Sequence, residues 1–473
     1  EVKRFIAQQD LDAATRFVPE KVIPKVDGEF SEKIAVIGAG PAGMSCAFYL
    51  AEKGYRPTVF EKESRPGGML MNGIPSFRLE KDVVQAEIDI LREMGVEFRC
   101  GVEVGKDVTI AQLRKEGYQG FYVAVGLQSG GRLNIPGGEA QGVQAGIDFM
   151  RHVNSGLCSK MSGRVVVIGG GNIGADVART ALRCGADSVD LYCLEGYEDM
   201  PMGEEDRGEC EREGITIHAG WGQTEIVERD GKCAGIRFRK CLSVKNAEGR
   251  FDPKFDDAVA EEAACDTVLY CIGQKVEWKE LLTGTKVEFN PNGTVKADPV
   301  TYQTAEPDIF VGGDAYTGQK FAIDAIAAGK QGAVSLHRWV QHATLTIGRD
   351  RRQFIELDKE NALIAIDSYD NTPRQQIGYN EALRKTFRDE RVAFTEEQVK
   401  KETARCLGCG ASIVDPNKCI GCGVCTTKCA FDAIHLHRER PECSTMYACE
   451  DKMKAILPYM IKRNIKIKKA ERR

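Results

Sequence analysis

The stretch KIAVIGAGPAGMSCAFYLAEKGYRPTVFE, residues 33–61, decides the fold. An apolar run, Ile34–Ile37, enters a glycine turn; a helix-forming segment follows to Gly54, and a second apolar run ends in Glu61. Short apolar strands joined by a helix mark a parallel sheet covered on both faces. Gly38, Gly40 and Gly43 stand in G-x-G-x-x-G spacing. The first permits a tight turn and the second lets the backbone approach a pyrophosphate. The third lets helix pack on strand, and the helix N-terminus offers a positive dipole. Glu61 ends the second strand, where a carboxylate accepts hydrogen bonds from a ribose diol. A glycine turn kept for packing alone needs no such acid.

The plan recurs at RVVVIGGGNIGADVARTALRCGADSVDLYCLE, residues 164–195, with Gly169, Gly171 and Gly174 in the same spacing. The expected class is α/β: two tandem Rossmann-like nucleotide-binding domains, followed by a small ferredoxin-like domain. Between the two openings, LEKDVVQAEIDILREMGVEF predicts an amphipathic helix running into a strand, and FYVAVG (121–126) a further strand. DTVLYCIG (266–273) and DIFVGGDA (308–315) are later strands ending in glycine, and AIDAIAAGKQGAVSLHRWV an Ala-rich helix.

The first site favours FAD. ESRPGGMLMNGIPSFRL (63–79) supplies a second glycine turn after Glu61, and Gly313–Asp314 places an acid for ribityl or phosphate oxygens. For Asp314 to reach the same ligand, the chain must return to the first domain after completing the second. The expected division is therefore an N-terminal helix and linker (1–30), a discontinuous FAD domain (31–150 and 297–345) and an NAD(P) domain (151–296). A linker (346–404), an iron–sulfur domain (405–450) and a basic tail (451–473) follow. The FAD candidates are Gly38, Gly40, Pro41, Gly43, Glu61, Lys62, Gly68, Met69, Leu70, Arg78, Gly126, Gly313, Asp314 and Ile323. The nicotinamide nucleotide candidates are Gly169, Gly171, Asn172, Ile173, Gly174, Glu195 and Gly273. No catalytic side chain is required, because hydride passes directly between nicotinamide and flavin.

A chain of 473 residues, at roughly 150 per domain, leaves room for about three domains. A net charge of −5 gives no reason to expect nucleic-acid binding. No run approaches the ~18–20 apolar residues of a membrane span, and EVKRFIAQQD does not read as a signal peptide, so a cytoplasmic location without membrane insertion is expected. Of 18 cysteines, eight fall between Cys406 and Cys449. Cys419, Cys422, Cys425 and Cys429 form the C-x2-C-x2-C-x3-C run of bacterial ferredoxins, in which three thiolates hold one cubane and the fourth serves another. Cys429 is then expected to join Cys406 and Cys409, and Cys443 and Cys449 complete a count sufficient for two 4Fe–4S clusters. Ala430 replaces the usual proline. A zinc ribbon built from C-x-x-C pairs is the alternative, though zinc needs no third cysteine in register. The other ten cysteines are solitary in sequence, which disfavours a redox disulfide facing the flavin; Cys46, Cys184 and Cys271 read as small core residues.

The segments GAGPAGMSCA, PGGMLMNGIPSFRLEKDVVQAEI, VIGGGNIGADVARTALRCGA, Met200–Pro201 and VGGDA resemble the small subunit of glutamate synthase and its relatives. Those relatives include the large subunit of the electron-bifurcating ferredoxin:NADP transhydrogenase, and the resemblance covers roughly residues 1–345. It implies FAD in the first domain and a nicotinamide nucleotide in the second, as in the glutathione-reductase-like fold. Members usually open with a cysteine-rich iron–sulfur domain; here the resemblance begins at what looks like its last helix. The expected function is an electron-transfer subunit that exchanges hydride between NAD(P)H and FAD. Electrons then pass through 4Fe–4S clusters to or from a partner subunit or ferredoxin, by analogy within a bifurcating complex. The rivals are a stand-alone flavin reductase of a small organic substrate and a non-catalytic assembly subunit with an empty second site. NADP-using relatives carry an Arg pair where this chain has Leu194 and Glu195, so NAD(H) is expected over NADP(H). Arg207 and Arg212 are near enough in sequence to compensate.

Overall fold

The computed structural model describes residues 1–19, 30–157, 160–349, 372–406, 419, 421–428, 434 and 449–471, in two units, Glu1–Leu407 and Gly408–Arg473. In the first unit, strands Ile309–Val311, Tyr118–Val123, Lys33–Ile37, Thr58–Glu61 and Glu97–Cys100 form, in that order, a parallel sheet. The central strand buries every residue after Lys33, as its continuous apolar run requires of a sheet covered on both faces. Helix Lys81–Glu93 buries Val84, Ile88 and Leu91, an i, i+4, i+7 stripe.

The second sheet has the order Val143–Ala145, Thr267–Tyr270, Arg164–Ile168, Ser188–Cys193, Thr216–Ala219, again parallel. Three long antiparallel strands, Trp221–Arg229, Lys232–Lys245 and Phe251–Ala263, rise from its edge. The chain leaves the first sheet through Ser129–Gly130 and returns through Gln274–Lys275, and these two short strands pair antiparallel.

Both borders expected for the second domain shift. Val143–Ala145 belongs to the second sheet, ahead of the border at 150, because it pairs with Thr267–Tyr270. Trp278, Leu281, Leu282 and Val295 pack into the first sheet's core, ahead of the border at 297. Within the expected linker, the described residues form a hairpin, Gly378–Tyr379 with Arg391–Val392, and helix Glu396–Ala404. In the second unit Val424–Lys428 is helical, and the basic tail forms helix Lys452–Glu471.

Helix Ala322–Val340 crosses helix Pro41–Glu52 by close backbone approach. A Cβ on Gly329 would lie 2.3 Å from the Ala42 carbonyl oxygen and 2.8 Å from the Cys46 nitrogen. Gly→Ala inside a helix ordinarily stabilises. Here overpacking reverses the sign, and Gly329→Ala is expected to lower stability by roughly 1–3 kcal/mol. Gly208, in helix Glu204–Glu213, has open space around it. Gly208→Ala should raise stability by about 0.5–1 kcal/mol, so urea midpoints of the two variants should move in opposite directions.

Candidate functional site

Each parallel sheet ends its central strand in the same device. Gly38 (φ +102°) and Gly169 (φ +134°) sit in the left-handed region, where a Cβ would lie 2.5 Å from the carbonyl oxygen of Ala124 or Cys271. Gly43 and Gly174 press on those first glycines: a Cβ would lie 1.9 Å from Gly38 O and 2.1 Å from Gly169 O. Gly40 and Gly171 keep their sides open, with no neighbour closer than 4.0 Å, and cap helices Pro41–Glu52 and Asn172–Arg183. Two helix N-termini with unpaired N–H groups thus face open space, a ready anion site in each case.

Both open onto one cavity of about 1550 Å³. That exceeds the roughly 300–1,000 Å³ that suits one drug-sized ligand. On the first-sheet side it is lined by Gly38, Gly40, Pro41, Glu61, Lys62, Gly68, Met69, Leu70, Arg78, Gly126, Gly313 and Asp314. Gly169, Gly171, Asn172, Ile173 and Glu195 line it on the second-sheet side. Four candidates do not line it. Gly43 and Gly174 are spent on helix–strand packing. Gly273 lies between Ile272 and Gln274, which do line it. Ile323 is 68% exposed, on the solvent face of a helix whose other face buries Ala325, Ala328 and Gly329.

Glu61 is buried, and its two oxygens accept the Ala39 N–H at 2.8 Å and the Glu63 N–H at 2.9 Å. Burial raises its pKa against the pull of these donors. The remaining lone pairs of the carboxylate suit a diol. Gly68 (φ +53°) comes so close to Gly40 that a Cβ would lie 2.7 Å from its Cα. This second turn closes a narrow cradle around the first. Asp314 has its pKa pushed up to about 6 by burial. Lys81 donates to the Leu70 and Ile74 carbonyls, and burial lowers its pKa to about 8.

Arg78, expected at the FAD site, also reaches across to the second sheet's helices. It lines the cavity, yet Nε donates to Asp176 at 2.6 Å and Nη1 meets Asp206 at 2.8 Å, both on helices flanking the second sheet. Only Nη2 remains, buried without a partner. An orphaned donor on the wall of this cavity, between two glycine cradles, fits a dinucleotide ligand. Asp176, Asp206, Arg239 and Phe255 also line the cavity and went unread in the sequence. Asp176, two residues beyond Gly174, carried a local signal; Arg239 and Phe255 arrive on the antiparallel hairpin and carried none.

Two cysteines, Cys193 and Cys271, line the cavity at the ends of strands on opposite sides of Arg164–Ile168, so Cys271 stands on the wall and not in the core as expected. Cys233 and Cys265, solitary in sequence, are buried with Sγ atoms 3.8 Å apart, outside the cavity lining. Cys419, Cys422 and Cys425 are exposed in the second unit, and Cys406 is exposed at the end of the first. Cys409, Cys429 and Cys443, and the side chain of Cys449, lie outside the described residues. The spacing of Cys419, Cys422 and Cys425 supplies the three-thiolate donor set of a cubane.

Residues 32–332 match the model of the pyridine nucleotide-disulphide oxidoreductase family, and residues 412–435 that of the 4Fe-4S binding domain. The chain belongs to the pyridine nucleotide-disulphide oxidoreductase family and carries a 4Fe–4S segment. Among its relatives, it is 33% identical to the NADP(+)-dependent formate dehydrogenase subunit beta of Moorella thermoacetica, over 86% of this chain and 61% of that protein. It is 31% identical to the glutamate synthase [NADPH] small chain of Escherichia coli K12, over 66% of this chain and 69% of that one. The chain thus spans about three fifths of the formate dehydrogenase subunit. FprA of Mycobacterium tuberculosis, solved with NADPH, shares the fold at a TM-score of 0.56 and 18% identity, over 66% of this chain and 85% of that one.

Glu61→Gln presents an amide NH2 to one of the two buried backbone donors. It should cost roughly 1–3 kcal/mol of stability and lower the FAD-to-protein ratio after gel filtration. An unchanged denaturation midpoint with full FAD would remove Glu61 from the site.

Proposed function

We propose that this chain is the flavoprotein subunit of a multi-subunit electron-transfer enzyme. In this reading the two parallel sheets are tandem dinucleotide-binding domains, the first for FAD and the second for NAD(H). The observation that carries it is the single cavity on which both glycine-capped helix N-termini open. FAD, when bound, supplies hydride acceptance and single-electron release. This chain's residues bind and orient. The Gly40 and Gly68 turns cradle a pyrophosphate, Glu61 accepts a ribose diol, and the Arg78 Nη2 and Asp314 meet polar groups further along the ligand. Gly171, Asn172 and Ile173 receive the second pyrophosphate, and Asn172 Oδ1 also accepts the Gly203 N–H at 3.0 Å, fixing the loop beside it. The cysteine segment, as 4Fe–4S clusters, relays electrons to or from a partner subunit or ferredoxin. That the relatives are named as subunits beta and small chain supports a complex.

NAD(H) is the proposed nucleotide. Glu195 lines the cavity after the strand Ser188–Cys193, where its carboxylate can accept both ribose hydroxyls and repels a 2′-phosphate. Neither Arg207 nor Arg212 lines the cavity. Arg207 donates to the Tyr197 carbonyl and stacks on that ring; Arg212 lies over Tyr379. Arg239, the one arginine on that wall besides Arg78 among the described residues, is paired with Asp257 at 2.8 Å. The relatives cited above are named for NADP(+) and NADPH, so the preference rests on these residues alone.

Anaerobic stopped-flow reduction of bound FAD should be more efficient with NADH than with NADPH, and Glu195→Arg should shift preference towards NADPH. Equal or better reduction by NADPH overturns the assignment. Metal and sulfide analysis under anaerobic conditions should find about four iron and four sulfide per chain for one cubane, or about eight of each for two. Stoichiometric zinc without sulfide would sink the cluster reading.

A further inference from the structure

The two sheets communicate covalently only through the antiparallel pair Ser129–Gly130 and Gln274–Lys275. Two strands crossing between domains make a hinge, and domains joined this way rotate unless something else ties them. Asn154, ending the second domain's helix Gly146–Asn154, makes one tie by donating to the Asn72 and Ile74 carbonyls at 3.0 and 3.2 Å. The charged tie lies across the cavity wall at Arg78. Its segment, between the second glycine turn and helix Lys81–Glu93, belongs to the first domain; Asp176 and Asp206 belong to the second. All three side chains are largely shielded, with 28%, 15% and 14% exposure. Arginine suits the position because its planar fork serves two carboxylates at once and never loses its charge. Separating such a partly desolvated triad would strand its charges, which resists opening.

The preceding residue repeats the tie in another form. The buried Phe77 ring lies under Arg179 and Arg183, with guanidinium carbons 4.7 Å and 3.9 Å from its centroid. Both arginines are themselves nearly fully buried against Glu213. The 378–392 hairpin then clasps both sides. Arg183 Nε donates to the Thr386 carbonyl at 2.7 Å on the second-domain side. On the first-domain side Arg391 Nη2 donates to the Arg78 carbonyl at 3.2 Å, and Arg388 pairs with Glu80 at 3.3 Å.

We propose that Arg78, Asp176 and Asp206 are positioning residues that hold the two nucleotide domains in one fixed alignment for hydride transfer, with the 378–392 hairpin as the clasp over that seam. The inference rests on the two-nucleotide reading above. Transfer needs the reacting atoms about 3–3.5 Å apart, so a small rotation at the hinge reduces the rate while each nucleotide site stays intact.

The test uses the FAD-loaded protein. In Asp206→Asn the acids Glu204 and Glu205 still occupy the first turn of the helix, so the helix end remains favourable. Stopped-flow titration with NADH should show the limiting rate of flavin reduction falling about tenfold or more with the Kd for NADH within about twofold, and Asp206→Glu should restore most of the rate. Hydrogen–deuterium exchange should quicken in residues 75–81, 204–213 and 378–392 and not in the two sheets. Arg388→Ala touches neither cavity nor sheet and loosens the same seam from outside, with an expected loss of about two- to threefold in limiting rate. A limiting rate unchanged in both variants overturns the proposal, as does a rise in Kd with the limiting rate retained. If the parent protein is reduced by neither NADH nor NADPH, the functional reading fails; the seam then stands or falls on the exchange pattern, and quiet seam segments in Asp206→Asn overturn it.

Discussion

The structure depends on one close contact made twice: the third glycine of each turn against the carbonyl oxygen of the first. Gly43 on Gly38 and Gly174 on Gly169 leave no room for a Cβ. That contact sets each helix directly above the end of its strand, which points the helix's unpaired N-terminal N–H groups away from the sheet and into open space. Everything the cavity can bind follows from where those two helix ends are aimed. The strand that carries the first turn and the helix that follows it are buried on nearly every packing face, so the aim is rigid.

Charge organises the remainder. A parallel sheet wrapped on both faces gives the interior little polar capacity, and each buried charge among the described residues has its own partners. Glu61 is satisfied by backbone donors, while Arg179 and Arg183 are satisfied by Glu213. Burial, with the nearby Asp206 charge, pushes the carboxyl of Asp176 up to about 6 against the pull of Arg78. Losing one member of such a group costs more than the group contributes while intact, because the survivor remains desolvated.

Local grammar was legible in the sequence, and long-range pairing was not. The strand–glycine–helix units at 33–61 and 164–195 follow from periodicity and turn chemistry over 30 residues, and they appear where that chemistry puts them. The family resemblance in GIPSFRL likewise pointed to Arg78, but its carboxylate partners lie 98 and 128 residues away, and no spacing signals them. The domain borders slipped for the same reason. Val143–Ala145 is three residues long and has no strand signature of its own; it is a strand only because Thr267–Tyr270 offers it hydrogen bonds. Cys233 and Cys265 read as solitary since adjacency across a sheet leaves no trace in spacing.

The same reasoning explains why the charged stretch after residue 372, read as a wrapping linker with one or two helices, gave no sign of its hairpin. Its periodicity is weak because it buries little apolar surface, and its order comes from arginine side chains reaching backbone carbonyls on both domains. Such contacts depend on neither alternation nor an amphipathic stripe, so hydropathy does not register them. Arg4 of the first helix joins the set, pairing with Asp389 at 3.1 Å and donating to the Arg391 carbonyl at 3.2 Å. The hairpin leads within a few residues into helix Glu396–Ala404 and Cys406. Residues that touch the surroundings of both parallel sheets therefore also anchor the chain just before Cys406.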